Sequence, residues 1–213
     1  MGKRSCSPFV ADAVCFDLLT ALLDSWSLWE EVAADADSPG QGQPWRHAAL
    51  RLVTGSGAYR PYGELVAAAA REVGLVPDLA DMLLSRWGEL RPWPEVPAML
   101  ARLTKPLATA TNCPEALAQA GVAALGNPFA VVVSAERAGA YKPDPRAYQL
   151  ALDELGLPPE RVLFVAGSSH DAVGAVRMGM PVVWVNRLGL PTPTGAERAT
   201  ILSNLTTLPD LLA

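Results

Sequence analysis

Polar residues capable of chemistry recur just after short apolar runs. Asp17 follows Ala13-Val14-Cys15-Phe16, Thr111 and Asn112 follow Pro106 to Ala110, and Lys142 stands a little beyond Ala130 to Val133. Ser168, Ser169 and Asp171 follow Val162 to Ala166. A carboxylate, a lysine and a second carboxylate in one crevice can serve as nucleophile, charge stabiliser and water-orienting group. Taken singly, each has a plainer reading. Asp17 can begin a turn, Lys142 can be a solvated loop lysine, and Asp171 can cap a helix. Four such groups at successive run ends favour a shared site.

The remaining inventory narrows the chemistry. Three cysteines, Cys6, Cys15 and Cys113, are too few and too scattered for a disulfide framework or a zinc cluster. The two histidines, His47 and His170, fit no zinc-hydrolase spacing. Cys113 follows Asn112 with no base partner in view, and His170 beside Asp171 reads as a helix-start or solvent-facing residue.

The elements that must position these residues come next. Apolar runs of four or five residues bounded by polar or glycine turns suit strands buried on both faces. Helical segments at roughly 114–124, 144–156 and 170–179 lie between them. Alternation of this kind predicts a doubly wound, parallel, five-stranded α/β sheet, with ligands at the carboxyl ends of the strands. Residues 26 to 93 differ: five of the six tryptophans fall there, and apolar residues repeat at helical spacing. The predicted architecture is an α/β core, residues 1–24 and 95–213, split after its first strand by a helical cap, residues 25–94.

Composition fixes the broad class. The chain has 213 residues, 50% hydrophobic and 18% charged, with a formal net charge of -5. Such a chain can bury a substantial core and is not disordered. The acidic balance leaves no basic stripe for nucleic acid. No apolar run approaches the ~20 residues of a membrane span, and no apolar segment follows Lys3 and Arg4 as in a secretory signal. A cytoplasmic location is the expectation.

The order of these motifs resembles the haloacid dehalogenase superfamily over nearly the whole chain. Val14 to Asp17, Leu107 to Asn112, Tyr141-Lys142-Pro143-Asp144-Pro145 and Val162 to Asp171 are similar to its four motifs, and the helical insertion to its small cap domain. Most members are magnesium-dependent phosphatases. This sequence has Leu19 where their general acid stands, and Ser168 where a metal-binding acid usually follows the glycine. Magnesium needs hard oxygen ligands, so those changes count against it. The metal-free 2-haloacid dehalogenase branch is the better likeness. Trp45-Arg46, the Lys142 to Tyr148 run and Trp184-Val185-Asn186-Arg187 followed by Gly189 are similar to that branch.

The resemblance implies a cofactor-free hydrolase that cleaves the carbon–halogen bond of short 2-haloalkanoic acids. Asp17 would form an ester with the α-carbon, Arg46 would face the halide, Lys142 would hold Asp17, and Asp171 would orient water. Leu19, Trp45, Thr111, Asn112, Tyr148 and Ser168 are the implied substrate-side residues, with Thr111 and Asn112 on the carboxylate. No metal and no cofactor are implied. The partner is a small anionic substrate, and the tryptophan-rich cap could support a homodimer. Three positions depart from the branch. Ala21 stands where a threonine hydroxyl would bond the nucleophile, with Thr20 beside it, and Ala166 and Ser168 replace a serine and an asparagine. The alternatives are a magnesium phosphatase or phosphonatase-like hydrolase, or an inactive member. On the residues alone, the favoured reading of Arg46 is a solvated arginine with a buried stem, of Tyr148 partial core packing, and of Trp184 core.

Overall fold

Strands form where β-branched and small apolar residues run together, and helices where the apolar period lengthens. The computed structural model describes residues 9–212; residues 1–8, with Cys6 and the Lys3–Arg4 pair, and Ala213 lie outside the described residues. After β1 (Ala13–Phe16) the chain makes a π-helical turn, Leu18–Leu22, and enters four helices. These are α1 (Ser25–Asp35), α2 (Gly42–Gly55), α3 (Tyr62–Glu72) and α4 (Leu79–Ser85). The short α5 (Val96–Leu100) leads back to β2 (Leu107–Thr111) and α6 (Glu115–Ala123). Next come β3 (Val131–Ser134), the single turn α7 (Ala135–Ala138) and α8 (Pro145–Leu155). The chain continues through β4 (Val162–Ala166), α9 (Ser169–Arg177), β5 (Val182–Val185) and β6 (Thr200–Leu202).

The sheet is parallel, in the order β3-β2-β1-β4-β5-β6. It has six strands, not the five expected. β6 pairs Thr200, Ile201 and Leu202 with Val183, Trp184 and Val185. As a three-residue edge strand with Ile201 45% exposed, β6 has no buried residue, whereas every other strand is buried but for the half-buried Val132 of β3. The α/β class and the helical insertion after β1 are as predicted.

β1 lies between β2 and β4, so the strand order reverses at its end. Register places Phe16 beside Thr109 on one side and Val165 on the other. Such a reversal opens a crevice at the strand ends, and Asp17 is the next residue. Alternation sends Val14 and Phe16 into one core, shared with α5, α6 and the cap. Ala13 and Cys15 enter the other core, with Tyr148, Ala151 and Leu152 of α8 and Ala172 and Ala175 of α9.

Cap helices bury their tryptophans against one another. Trp29 and Trp45 meet edge to face at 4.6 Å, and the Trp45 indole N–H donates to the Val66 carbonyl at 2.9 Å. The chain enters and leaves these helices side by side. Asp24 N–H bonds the Arg91 carbonyl and Trp93 N–H bonds the Leu22 carbonyl. The Trp93 indole donates to Thr20 O at 3.0 Å, and Arg187 stacks over that ring at 4.3 Å. Among the described residues no helix is long and apolar enough to cross a membrane.

Candidate active site

The extended backbone of β1 ends at Asp17, and the π-helical turn begins there. One carboxylate oxygen of Asp17 accepts the Thr20 N–H at 3.3 Å, and the other accepts the Lys142 ammonium at 3.0 Å. Gly167, after β4, makes this packing possible. A Cβ there would stand 2.3 Å from Asp17 Oδ2 and 2.6 Å from the Ala21 nitrogen.

Lys142 reaches the crevice from the loop ahead of α8. Asn112 clamps its backbone on both sides: Lys142 N–H donates to Asn112 Oδ1 at 2.7 Å, and Asn112 Nδ2 donates to the Lys142 carbonyl at 3.0 Å. The ammonium also donates to Asp171 Oδ2 at 2.7 Å. Burial works against its charge, but Asp17 and Asp171 outweigh that and raise its pKa above the ordinary lysine value. The lysine is therefore a fixed cation between two carboxylates, unsuited to act as a base.

Asp171 is set by α9. Ser168 caps that helix, accepting the Asp171 N–H at 3.2 Å. Tyr148, from α8, donates its phenol proton to Asp171 Oδ1 at 2.6 Å. A Cβ at Gly174 would meet that hydroxyl at 2.4 Å, so α9 must carry glycine where Tyr148 seats. Burial lifts the Asp171 pKa to about 6 against the opposing pull of Lys142. At neutral pH it is ionised yet more basic than an ordinary aspartate.

The cleft above these groups is walled by the cap. Arg46, Ala49, Leu50, Val53 and Thr54 line it from one face of α2, joined by Trp29, Tyr62 and Ser25. The core side supplies Asp17, Leu19, Thr20, Asn112, Lys142, Ser168, His170 and Asp171. Arg46 donates to Thr20 Oγ1 at 3.1 Å and lies 5.5 Å from the Trp26 ring. The Thr20 hydroxyl thus serves Arg46, while its backbone serves Asp17. That backbone bond meets Asp17 despite the missing hydroxyl at Ala21.

Of the expected residues, Asp17, Lys142, Asp171, Arg46, Leu19, Asn112 and Ser168 share this cleft. Three lie off it. Trp45 is wholly buried against Trp29 and Val66, because neighbouring helix residues point about 100° apart and Arg46 takes the cleft face. Thr111 is buried with its hydroxyl on Cys113 Sγ at 3.0 Å. Tyr148 acts on Asp171 from behind. Trp184 is core, as read, and burial pushes the Cys113 thiol up to about 12, which keeps it inert. His170, read as a helix-start or solvent-facing residue, is exposed in the first turn of α9, and it also borders the cleft. Sequence reasoning missed Tyr62 and the α2 wall, although the spacing of 46, 49, 50, 53 and 54 marks one helix face.

Haloacid dehalogenase-like hydrolases as a family match residues 11–179. The chain belongs to that family. It is 33% identical to (S)-2-haloacid dehalogenase H-109 of Pseudomonas putida over 198 residues, 84% of this chain and 87% of that protein. Among solved structures, the L-2-haloacid dehalogenase of Xanthobacter autotrophicus superposes with a TM-score of 0.84 at 28% identity, covering 94% of this chain and 98% of that one. The same enzyme with chloropropionic acid covalently bound superposes at 0.82 and 29% identity, with the same coverage. As a haloacid dehalogenase-like hydrolase, the protein carries its nucleophile candidate at the strand-order reversal. Among the described residues, no three His, Cys, Asp or Glu side chains are grouped to hold a metal.

Proposed function

We propose that this protein hydrolyses the carbon–halogen bond of short 2-haloalkanoic acids through an ester on Asp17. The observation that carries the reading is a carboxylate fixed by Lys142 and Thr20 at the floor of a largely apolar cleft, with Arg46 on the cap side. A carboxylate is a poor nucleophile in water and a better one when held, partly desolvated, in line with its target.

The steps follow from the groups in place. Asp17 attacks the α-carbon, and the halide leaves with the bonding electron pair. Halide is a weak base and needs no proton, so an apolar Leu19 costs the reaction nothing. Arg46 stabilises the departing negative charge. Asn112 has one amide hydrogen beyond its bond to Lys142, and Ser168 retains its hydroxyl hydrogen. These two donors hold the substrate carboxylate. Water, with its proton drawn toward Asp171, then attacks the Asp17 ester carbonyl, releasing the 2-hydroxy acid and restoring the carboxylate. The net charge of -5 repels an anionic substrate, and Arg46 and Lys142 offset the two carboxylates of the site, leaving Arg46 as the cation not already paired with a carboxylate there.

The test is halide release from 2-chloropropionate with and without EDTA, beside phosphate release from a generic phosphate ester. Halide release is expected to be indifferent to EDTA and abolished in Asp17→Asn. Phosphate release that is lost with EDTA would contradict the reading, and no turnover of either substrate would point to a non-catalytic protein.

A further inference from the structure

Tyr62 opens α3 and lines the same cleft as Asp17 and Arg46. Its side chain is 7% exposed and meets Trp87 edge to face, with centroids 6.1 Å apart. Other buried phenols in the chain have partners. Tyr148 donates to Asp171 and Tyr141 donates to the Arg60 carbonyl at 2.6 Å. Among the described residues the Tyr62 hydroxyl makes no hydrogen bond. Nor is it one of the polar atoms sealed away from open space without a partner, which are Trp26 Nε1, Trp87 Nε1, Thr109 Oγ1 and Arg187 Nε. Tyr62 lines the cleft, and its hydroxyl is not sealed away. A buried phenol ordinarily finds an acceptor, and the acceptor expected here is one that arrives with the substrate.

The hydroxyl keeps a proton to donate. Burial raises its pKa well above the ordinary tyrosine value, reinforced by Cys113 and opposed by Arg46, so it holds its proton at any working pH. We propose that the Tyr62 hydroxyl is a second hydrogen-bond donor to the departing halide, facing it across the cleft from Asp17 beside Arg46. The inference rests on the dehalogenase reading. As the bond from Asp17 to the α-carbon forms, the carbon–halogen pair moves onto the halide, and the phenol donates to that anion while keeping its own proton. A neutral donor on a developing anion forms a charge-assisted bond that is weak in the ground state, where the halogen is covalent and a poor acceptor. Chloride concentrates its charge more than bromide, so it gains more from the donor.

The experiment is Tyr62→Phe, which removes one oxygen and keeps the ring. Single-turnover halide release under excess protein isolates the first step from ester hydrolysis, using 2-chloropropionate and 2-bromopropionate. The expected result is a fall of about tenfold for chloride release, the scale of one hydrogen bond to a charged group, with a clearly smaller fall for bromide. The melting temperature should stay unchanged. An equal fall for both halides, no fall, or a drop in melting temperature accompanying the loss would each overturn the proposal in favour of packing. If the wild-type protein releases neither halide, the function itself fails and takes this inference with it. An active wild type with an equally active variant overturns this inference alone.

Discussion

At the scale of single residues, the site depends on how burial divides roles among three charges. Lys142 is locked as a cation, whereas Asp171 is lifted to about 6 by burial. In the proposed mechanism ester hydrolysis needs Asp171 ionised, so its rate should fall as pH drops through about 6 and approach tenfold per unit below it. Rapid-mix separation of the two steps checks this: halide release should lack that limb and ester hydrolysis should show it. A flat hydrolysis profile across that range would remove Asp171 as the base. Arg46 separates in the same way. Arg46→Ala should slow halide release about 10- to 100-fold, the value of a charge-assisted bond, with little change in melting temperature. If only the melting temperature moved, Arg46 would serve the fold alone, through its contacts with Thr20 and Trp26. These residues were legible in the sequence because each follows an apolar run or, for Arg46, rests on a family likeness. Tyr62 was not, because nothing in its neighbours distinguishes a cleft-facing phenol from a core one.

At the scale of elements, strand ends and one helix face do the positioning. The π-helical turn Leu18–Leu22 turns the Thr20 N–H onto Asp17 and its hydroxyl onto Arg46. No sequence period announces a five-residue turn of this kind, so the apparent loss at Ala21 could not be resolved beforehand. Gly167 is the tightest point of this arrangement. Gly167→Ala would place a methyl within 2.3 Å of the nucleophile oxygen, shifting Asp17 or the turn. Such overpacking costs about 1–3 kcal/mol. The expected outcome, read by halide release and thermal melting, is a loss of roughly 100-fold in rate, since small misplacements at the reacting centre are that expensive. Wild-type kinetics with an unchanged melting temperature would show that the neighbours can give way. Trp45 illustrates what adjacency in sequence hides. It precedes Arg46 by one residue, yet the helix turns it into the cap core, where Trp29 and the Val66 carbonyl hold it.

At the scale of the whole molecule, the parallel sheet and the cap divide the work. Order reversal at β1 fixes where the nucleophile stands, and the cap brings Arg46 and an apolar wall over it. Buried strands announce themselves in sequence through uninterrupted apolar runs, so five of the six were legible, as was the α/β class. β6 was not, because an edge strand half open to water needs no such run. The join between the layers was likewise hidden. It depends on Trp93 bonding the Thr20 carbonyl and on Arg187 stacking over Trp93, contacts made by residues far apart in the chain.

The measurement closest to the central claim is a single turnover of 2-chloropropionate in water enriched in oxygen-18, followed by mass analysis of the protein. If Asp17 forms the ester and water cleaves it at the carbonyl, the new oxygen stays on the Asp17 carboxylate, and the first 2-hydroxy acid released carries an unlabelled oxygen from the protein. A label found at once in the product, with Asp17 unlabelled, would mean that water attacks the carbon directly, and would contradict the account.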